Sequence, residues 1–429
     1  MDALRLLHFA DLHLGVEASG RPNPASGLNQ RIHDVCDRLD EVCDAVERDG
    51  VHAVIFAGDA FMNPRPSPTL QKLFAERVRR MVRSGAGVFL LVGNHDLPKM
   101  AGIAHPYSIY EALAVPGVVV GDRARVYALP LPPGAPAGQL QVAALPHFSR
   151  AEVVSQLPEG TDADAFIQER LAHRVGSLGA AVDPALPAVF AAHCHVNQAE
   201  VGESQSLFGV SDLEVSLSTL TSGQPFPYYA LGHVHAAQVL REVPFVAYSG
   251  ALERADFGEG DKLTVPRDGT VEHRRAEPKG FYRADLVRDG GSWRLEGPPE
   301  FRCVAARTFV TLNVRELDDA DPAEDLRGRL DRVPMNLDGA CVRIVGVLDA
   351  PGRGRLAPLV RGMLPQAYDV RLSLEAREAS RVRDPRFAKR MSEIEALERF
   401  LESRDDWSDE RDELLRLGRE LIAAELERA

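Results

Sequence analysis

Eight side chains able to bind a divalent cation or move a proton stand where short apolar runs end: Asp11, His13, Asp59, Asn94, His95, His193, His233 and His235. Mixed imidazole and oxygen donors suit manganese, iron or zinc better than magnesium or calcium. Two such ions about 3.5–4 Å apart clamp the attacking and leaving oxygens of an in-line displacement at phosphorus, and they need a carboxylate that can bridge them. Asp59 is the natural bridge. The densest stretch is Gly93-Asn94-His95-Asp96, an amide, an imidazole and a carboxylate directly behind a glycine that lets the backbone turn and approach a ligand. Taken alone it could be an ordinary turn, because glycine and asparagine favour turns and aspartate caps helices. A single histidine is likewise more often a hydrogen-bonded core residue, the reading given to His8, His33, His52, His105, His147 and His173. Five separate elements that each end in ligand-type residues are a different matter.

The elements that must position these groups alternate in type. Residues 4–10 read as a strand ending in Asp11-Leu12-His13, whose acid and imidazole lie two apart and so share a face in extended backbone. After a loop rich in Gly, Pro and Asn, the stripe Ile32, Val35, Cys36, Leu39, Val42, Cys43 and Val46 predicts a helix closed by Gly50. Residues 51–57 predict a strand running into Gly58-Asp59. The stiff loop from Asn63 ends in an N-cap Ser67 and a first-turn Pro68, opening a helix that turns Leu70, Leu73, Phe74, Val78 and Met81 inward. Residues 88–92 form the next strand. This is a βαβαβ pattern, in which ligands gather at the carboxyl ends of the strands. Short β-like runs over 118–146 predict a second sheet, covered by a helix over 164–175. Strands over 188–192 and 228–231 lead into His193-Cys194-His195 and Gly232-His233-Val234-His235, and further strands are expected over 244–248 and 281–286.

The composition shifts near Pro298. Residues 308–314, 322–330, 340–347, 356–364 and 368–374 predict a compact β-α-β-α-β unit small enough to be a cap. Residues 386–429 are dense in both charges, with Phe387, Met391, Ile394, Leu397 and Leu401, then Leu414, Leu417 and Leu421, at helical spacing. Two amphipathic helices could pack on their own domain, but at a chain end they more naturally offer their stripe to a partner. A length of 429 residues suggests two or three domains. With 45% hydrophobic and 26% charged residues, disordered and fibrous classes drop out. No apolar run approaches the ~20 residues of a membrane helix, and a cytoplasmic protein with no membrane association is expected. Five cysteines without a CxxC pair agree, Cys36 and Cys43 being read as small core residues. A net charge of −13 argues against a scavenging nucleic-acid binder.

The ordered series Asp11-Leu12-His13, Gly58-Asp59, Gly93-Asn94-His95-Asp96, a single histidine and Gly232-His233-Val234-His235 resembles the calcineurin-like metallophosphoesterase superfamily over residues 4–250. Within it the chain is similar to the SbcD nuclease family, the bacterial branch of the double-strand-break repair nucleases. That narrower likeness rests on Arg65-Pro66-Ser67-Pro68-Thr69-Leu70, on Tyr248-Ser249-Gly250 with Glu253-Arg254 and Asp256-Phe257-Gly258-Glu259, and on a small cap followed by a helical tail. The resemblance implies an α/β fold, a two-sheet α-β-β-α metallophosphoesterase sandwich with a small α/β cap domain and a C-terminal helical tail. The divisions are a nuclease domain over 1–300, a cap over 301–375 and a tail over 376–429. It also implies two divalent ions, expected to be manganese. One is held by Asp11, His13, Asp59 and His235, the other by Asp59, Asn94, His193 and His233. His193, directly behind its strand, is preferred to His195. His95 is implied to be catalytic rather than a ligand, with Asp96 orienting its ring.

The activity implied is hydrolysis of DNA phosphodiesters by a metal-activated water, as a double-strand exonuclease and single-strand endonuclease in DNA end processing, recombination and repair. The partners implied are an SMC-like ATPase of the SbcC type, gripped by the C-terminal helices, and a second copy of the nuclease domain. Two ions offset the acidic net charge where phosphate binds, and Arg21, Arg31, Arg65, Lys99 and Arg150 lie in loops expected to line the groove. One departure stands out: Met62 occupies a position where relatives often carry a histidine that helps seat the DNA end, which bears on the balance of exonuclease and endonuclease activity. Two rival readings stay open, a metallophosphoesterase for nucleotides or other small phosphoesters and a non-catalytic scaffold with a vestigial metal site.

Overall fold

The computed structural model describes residues 3–98, 100, 102–148, 157–158, 161–202, 205, 214–376, 398 and 413–419. Three parallel strands, Leu4–Phe9, Ala53–Phe56 and Gly87–Leu91, form the centre of the first sheet in the expected order, with Leu6 opposite Ala53 and Val54 opposite Val88. Val118–Gly121 extends one side, and Gly280–Asp289 lies antiparallel on the other. The second sheet runs Gln238–Arg241, Phe245–Tyr248, Tyr228–Gly232, Ala188–His193, Gln139–Leu145, Arg125–Pro130. The two sheets face each other through an apolar core in which Leu6, Ile55, Phe89 and Leu91 meet Val142, Val189, Tyr228 and Ala247.

Strands buried on both faces read as continuous apolar runs, and that is why these were visible in the sequence. The outward face of the first sheet takes Val54, Phe56, Val88 and Leu90 against the helices Gln30–Asp49 and Pro68–Arg83. The second sheet is covered by Ala163–Ala180 through Ile167, Leu171, Val175 and Leu178. An α-β-β-α sandwich results. Caps behave as expected: Ser67 Oγ accepts from the Leu70 amide, Pro68 opens its helix, and Gly50 closes the preceding one in a left-handed turn at φ 59°. Cys36 and Cys43 are buried and unbridged.

The third sheet has the order Glu272–Arg274, Asp261–Thr264, Phe309–Glu316, Cys341–Leu348, Asp369–Ala376, with helices Pro322–Leu330 and Ala350–Met363 packed through Leu326, Leu356 and Val360. This differs from a cap confined to 301–375. Two strands within residues 261–274 already belong to it, after which the chain returns to the first sheet over Gly280–Asp289, Ser292–Leu295 and Glu300–Cys303. The helix Ala350–Met363 begins six residues before the predicted start, because Asp349 caps it by accepting from the Gly352 amide at 2.7 Å. Most of the expected helical tail lies outside the described residues; within it, 413–419 are helical and Arg419 pairs with Glu398. Among the described residues no helix is long and apolar enough to cross a membrane.

Candidate metal centre

The donors sit on a strained backbone. Among the described residues seven other than glycine have a positive φ, and four of them are candidate ligands: Asp11 (53°), His13 (45°), Asp59 (61°) and His233 (100°). Each such residue costs on the order of 1–3 kcal/mol and persists only where its surroundings over-determine it. Here the Asp11 amide donates to the Gly58 carbonyl at 3.0 Å, and the Leu12 and His13 amides both donate to the Asp59 carbonyl at 2.9 and 3.1 Å. The His233 amide donates to the Asp11 carboxylate at 3.0 Å. These bonds lock the ends of neighbouring strands together. Glycine is required where they touch: a Cβ on Gly93 would fall 2.1 Å from Asp59 Oδ1, and one on Gly232 would fall 2.1 Å from the Ala57 carbonyl.

The side chains converge with their lone pairs facing one another. His193 Nδ1 donates to the Ala57 carbonyl at 2.7 Å, so its Nε2 is the ring nitrogen that faces the other donors, 2.9 Å from Asn94 Oδ1 and 3.3 Å from Asp59 Oδ2. The same Asn94 oxygen is 3.2 Å from His233 Nδ1. His235 Nδ1 is fixed by the Glu259 carboxylate at 2.7 Å, which leaves its Nε2 2.8 Å from His13 Nε2. His13 Nδ1 is buried without a hydrogen-bond partner among the described residues. Imidazole, carboxylate and amide atoms held this close to one another are what a cation binds, so the donor set fits divalent metal ions. Asp59 lies between the two halves, its Oδ2 3.9 Å from His13 Nε2 and 3.3 Å from His193 Nε2. Asp11, His13 and His235 group on one side, and Asp11, Asp59 and His193 on the other.

The electrostatics follow from burial. Burial pushes the Asp59 carboxyl up, but the His193, His13 and His95 imidazoles outweigh it and hold it below the usual carboxylate range. Burial lowers His13, and the His235 charge adds to that. His193 is opposed by burial yet raised to about 9, chiefly by Asp59. Asp96 is raised to about 7 by burial and by the Asp59 charge.

Asp96 does not orient the His95 ring, in contrast to the expectation. Its Oδ2 accepts from the Asp59 and Gly93 amides at 2.9 and 3.1 Å and from the Tyr107 hydroxyl at 2.7 Å, so it ties two strand ends together. His95 is held by backbone instead. Its Nδ1 donates to the Met62 carbonyl at 3.0 Å, and its amide donates to Asp59 Oδ1 at 2.8 Å. A carbonyl only accepts, so Nδ1 carries the proton and Nε2 is the atom left for chemistry. Any residue at position 62 supplies that carbonyl. The ring stands edge-on to His13 with centroids 4.8 Å apart.

Further placements differ from the sequence reading. Arg31 is fully buried rather than groove-lining, paired with Asp34 at 2.7 Å and Glu253 at 3.6 Å, because it lies in the first turn of a covered helix. Arg21 pairs with Asp369 of the third sheet at 2.9 Å. Arg65 is exposed on its loop, while Lys99 and Arg150 lie outside the described residues. His195 joins none of the clustered donors, and its ring is 6.5 Å from that of His233. His147, read as a core residue, stacks on His233 at 6.3 Å.

Three functional side chains carried no role in the sequence reading. Gln205 clamps the Gly232–His235 turn, donating to the His233 carbonyl at 2.7 Å and accepting from the His235 amide at 2.9 Å. Glu259 binds His235 and accepts from Lys279 Nζ at 2.6 Å, and Lys279 also donates to the His235 carbonyl at 2.9 Å. The usable signal was Lys279 itself, one of five lysines in the chain. A carboxylate on the far nitrogen fixes a ligand's tautomer and direction, and its loss typically costs 10–100-fold in metal affinity. Glu259→Gln is therefore expected to weaken binding by about that factor at the His13–His235 side, read by calorimetric titration with manganese; an unchanged isotherm would remove Glu259 from this role.

The calcineurin-like phosphoesterase family matches residues 4–237. The SbcD subunit of the nuclease SbcCD from Bacillus subtilis (strain 168) is 27% identical over 270 residues, covering 60% of this chain and 63% of its own. The DNA double-strand break repair protein Mre11 of Aeropyrum pernix is 28% identical over 300 residues, covering 67% of this chain and 65% of its own. That of Archaeoglobus fulgidus is 25% identical over 401 residues, 92% of this chain and 76% of its own. The chain thus spans less than two thirds of the length of the first two relatives. With more than half of its residues inside the family match, from the first strand through the Gly232–His235 turn, this protein belongs to the calcineurin-like phosphoesterase family.

Proposed function

We propose that the protein is a metal-dependent DNA phosphodiesterase, cutting double-stranded ends and single strands as the nuclease subunit of an SbcCD-like complex. The observation that carries this reading is the convergence of Asp11, His13, Asp59, Asn94, His193, His233 and His235 on one point, with His95 close to His13 and Asp59 on its rim. Family membership implies divalent metal ions, and manganese suits the mixture of four imidazoles with carboxylate and amide oxygens. Ions held there would supply Lewis acidity to a phosphoryl oxygen and to the attacking water. The chain's own contribution is positional. Asp59 joins the two donor sets, Asp96 and Tyr107 fix the strand ends, and Glu259 aims His235. His95, with a proton held at Nδ1 by the Met62 carbonyl, presents Nε2 to the leaving oxygen or to phosphoryl charge. Arg65, exposed on the loop after Asp59, and Lys99 would contact the DNA backbone.

Residues 376–429 are proposed to dock an SMC-like ATPase of the SbcC type, and the phosphoesterase domain to pair with a second copy. One set of assays tests the whole reading. With manganese, the full chain should degrade linear double-stranded DNA and stop when the metal is chelated, while nucleotides turn over far more slowly. A chain ended at Glu375 should keep metal-dependent cleavage and lose association with the ATPase. Hydrolysis of nucleotides with no attack on DNA would favour the small-phosphoester reading instead, and undiminished association would refute the role given to the tail.

A further inference from the structure

A cleft opens directly beside His235, where the sandwich meets the third sheet. Its volume is about 130 Å³, and its walls include Gln205, His235, Glu259, Lys262, Arg275 and Lys279. A water needs only about 10–15 Å³ of such space, so the cleft has room for a group the size of a phosphate. Four cationic side chains line it against two carboxylates, in a chain whose net charge is −13. One of those carboxylates, Glu259, is already matched by Lys279 at 2.6 Å.

Arg275 is the informative member. Several arginines of this chain are held in ion pairs, such as Arg80 with Asp44 and Glu47, Arg307 with Asp34 and Arg329 with Asp325. Arg275 is exposed and makes no hydrogen bond or ion pair among the described residues, yet it stands on the wall of a cleft that shares His235 with the metal centre. A guanidinium suits bidentate contact with phosphate oxygens, and an unpaired one has no internal ion pair to break when it makes that contact. His235 belongs both to the donor set and to this wall, with Nε2 toward the donors and Nδ1 and its carbonyl toward Glu259 and Lys279 of the cleft, so the two places lie on opposite sides of one residue.

We propose that this cleft is a second anion subsite, holding the phosphate adjacent to the scissile one on the same nucleic-acid strand, with Arg275 as its principal contact. The proposal rests on the phosphodiesterase reading and adds to it a requirement for consecutive phosphates. The subsite is built partly by residues 261–275, so the third sheet contributes to substrate binding rather than only covering the sandwich.

The test compares two substrates of the manganese-loaded full chain: a short oligothymidylate, which has consecutive phosphates, and bis(4-nitrophenyl) phosphate, which has one. Arg275→Ala should lower kcat/KM on the oligonucleotide about tenfold more than on the single diester, through KM, the order expected for one charge-assisted phosphate contact. The slope of log KM against log salt should shrink by roughly 0.7, the single-strand contribution of one phosphate contact. Arg275→Lys should recover part of the loss. Equal losses on both substrates, or no loss on either, overturn the subsite while leaving the phosphodiesterase reading intact. A wild-type chain that hydrolyses the single diester but neither binds nor cleaves the oligonucleotide overturns the DNA reading and the subsite together.

Discussion

Asp59→Asn is expected to strip the protein of both metal ions and to lower phosphodiester cleavage on the order of 10³-fold or more, because the loss removes electrostatic stabilisation from attacking and leaving oxygens at once. The expectation follows from position. Asp59 Oδ2 lies between His13 and His193, members of opposite donor sets. Asparagine keeps the Oδ1 that accepts the His95 amide, so the local backbone should survive the change. In chelator the variant should melt somewhat lower than the wild type, since the Asp59 charge that His193, His13 and His95 hold ionised below the usual carboxylate range contributes stability at neutral pH that asparagine lacks. Elemental analysis and calorimetric titration decide it. Two ions per chain retained by the variant would reduce Asp59 to a structural acceptor.

His95→Gln should show the opposite pattern, with metal content kept and cleavage of double-stranded DNA ends lowered by roughly 10²–10⁴, the usual worth of a positioned acid or base. The geometry separates its two candidate roles. If the ring is protonated at both nitrogens and Nε2 gives its proton to the leaving oxygen, a substrate with a good leaving group such as 4-nitrophenolate will lose much less than DNA does. If the ring stabilises phosphoryl charge, both substrates will lose equally. Undiminished DNA cleavage would end the catalytic assignment. Met62→Ala serves as a control, because the bond that holds His95 comes from the residue's carbonyl and survives any side chain there.

The strand ends were legible because the chemistry comes in short local strings: Asp11-Leu12-His13, Gly58-Asp59, Gly93-Asn94-His95-Asp96 and Gly232-His233-Val234-His235 each follow an apolar run buried on both faces. What surrounds them was not. Glu259 meets His235 from 24 residues away, and Gln205 from 30, and nothing in local spacing announces either. The acceptor for His95 is a main-chain carbonyl, which leaves no mark on residue type. Arg31 was misplaced for a related reason. Its partner Asp34 is visible three residues on, but Glu253, which completes the neutralisation that permits burial, lies in another motif. The strands Asp261–Thr264, Glu272–Arg274, Ser292–Leu295 and Glu300–Cys303 were missed because they are four residues or fewer, polar, and lie at or near sheet edges, where neither alternation nor an apolar run is required.

The route of the chain through its third sheet bears on how the molecule can be cut. Asp261–Thr264 lies between Glu272–Arg274 and Phe309–Glu316, so the polypeptide passes between sandwich and cap three times within residues 248–309. A fragment stopped at residue 300 would strand Leu263 and Val265 without their core and leave an open backbone edge, the template from which intermolecular β-pairing starts. A fragment begun at 301 would lack the same two strands. Joining a finished cap to the end of a finished sandwich could not reproduce this sheet. The two units are interlaced rather than concatenated, and three covalent crossings restrict the twist that either can make against the other.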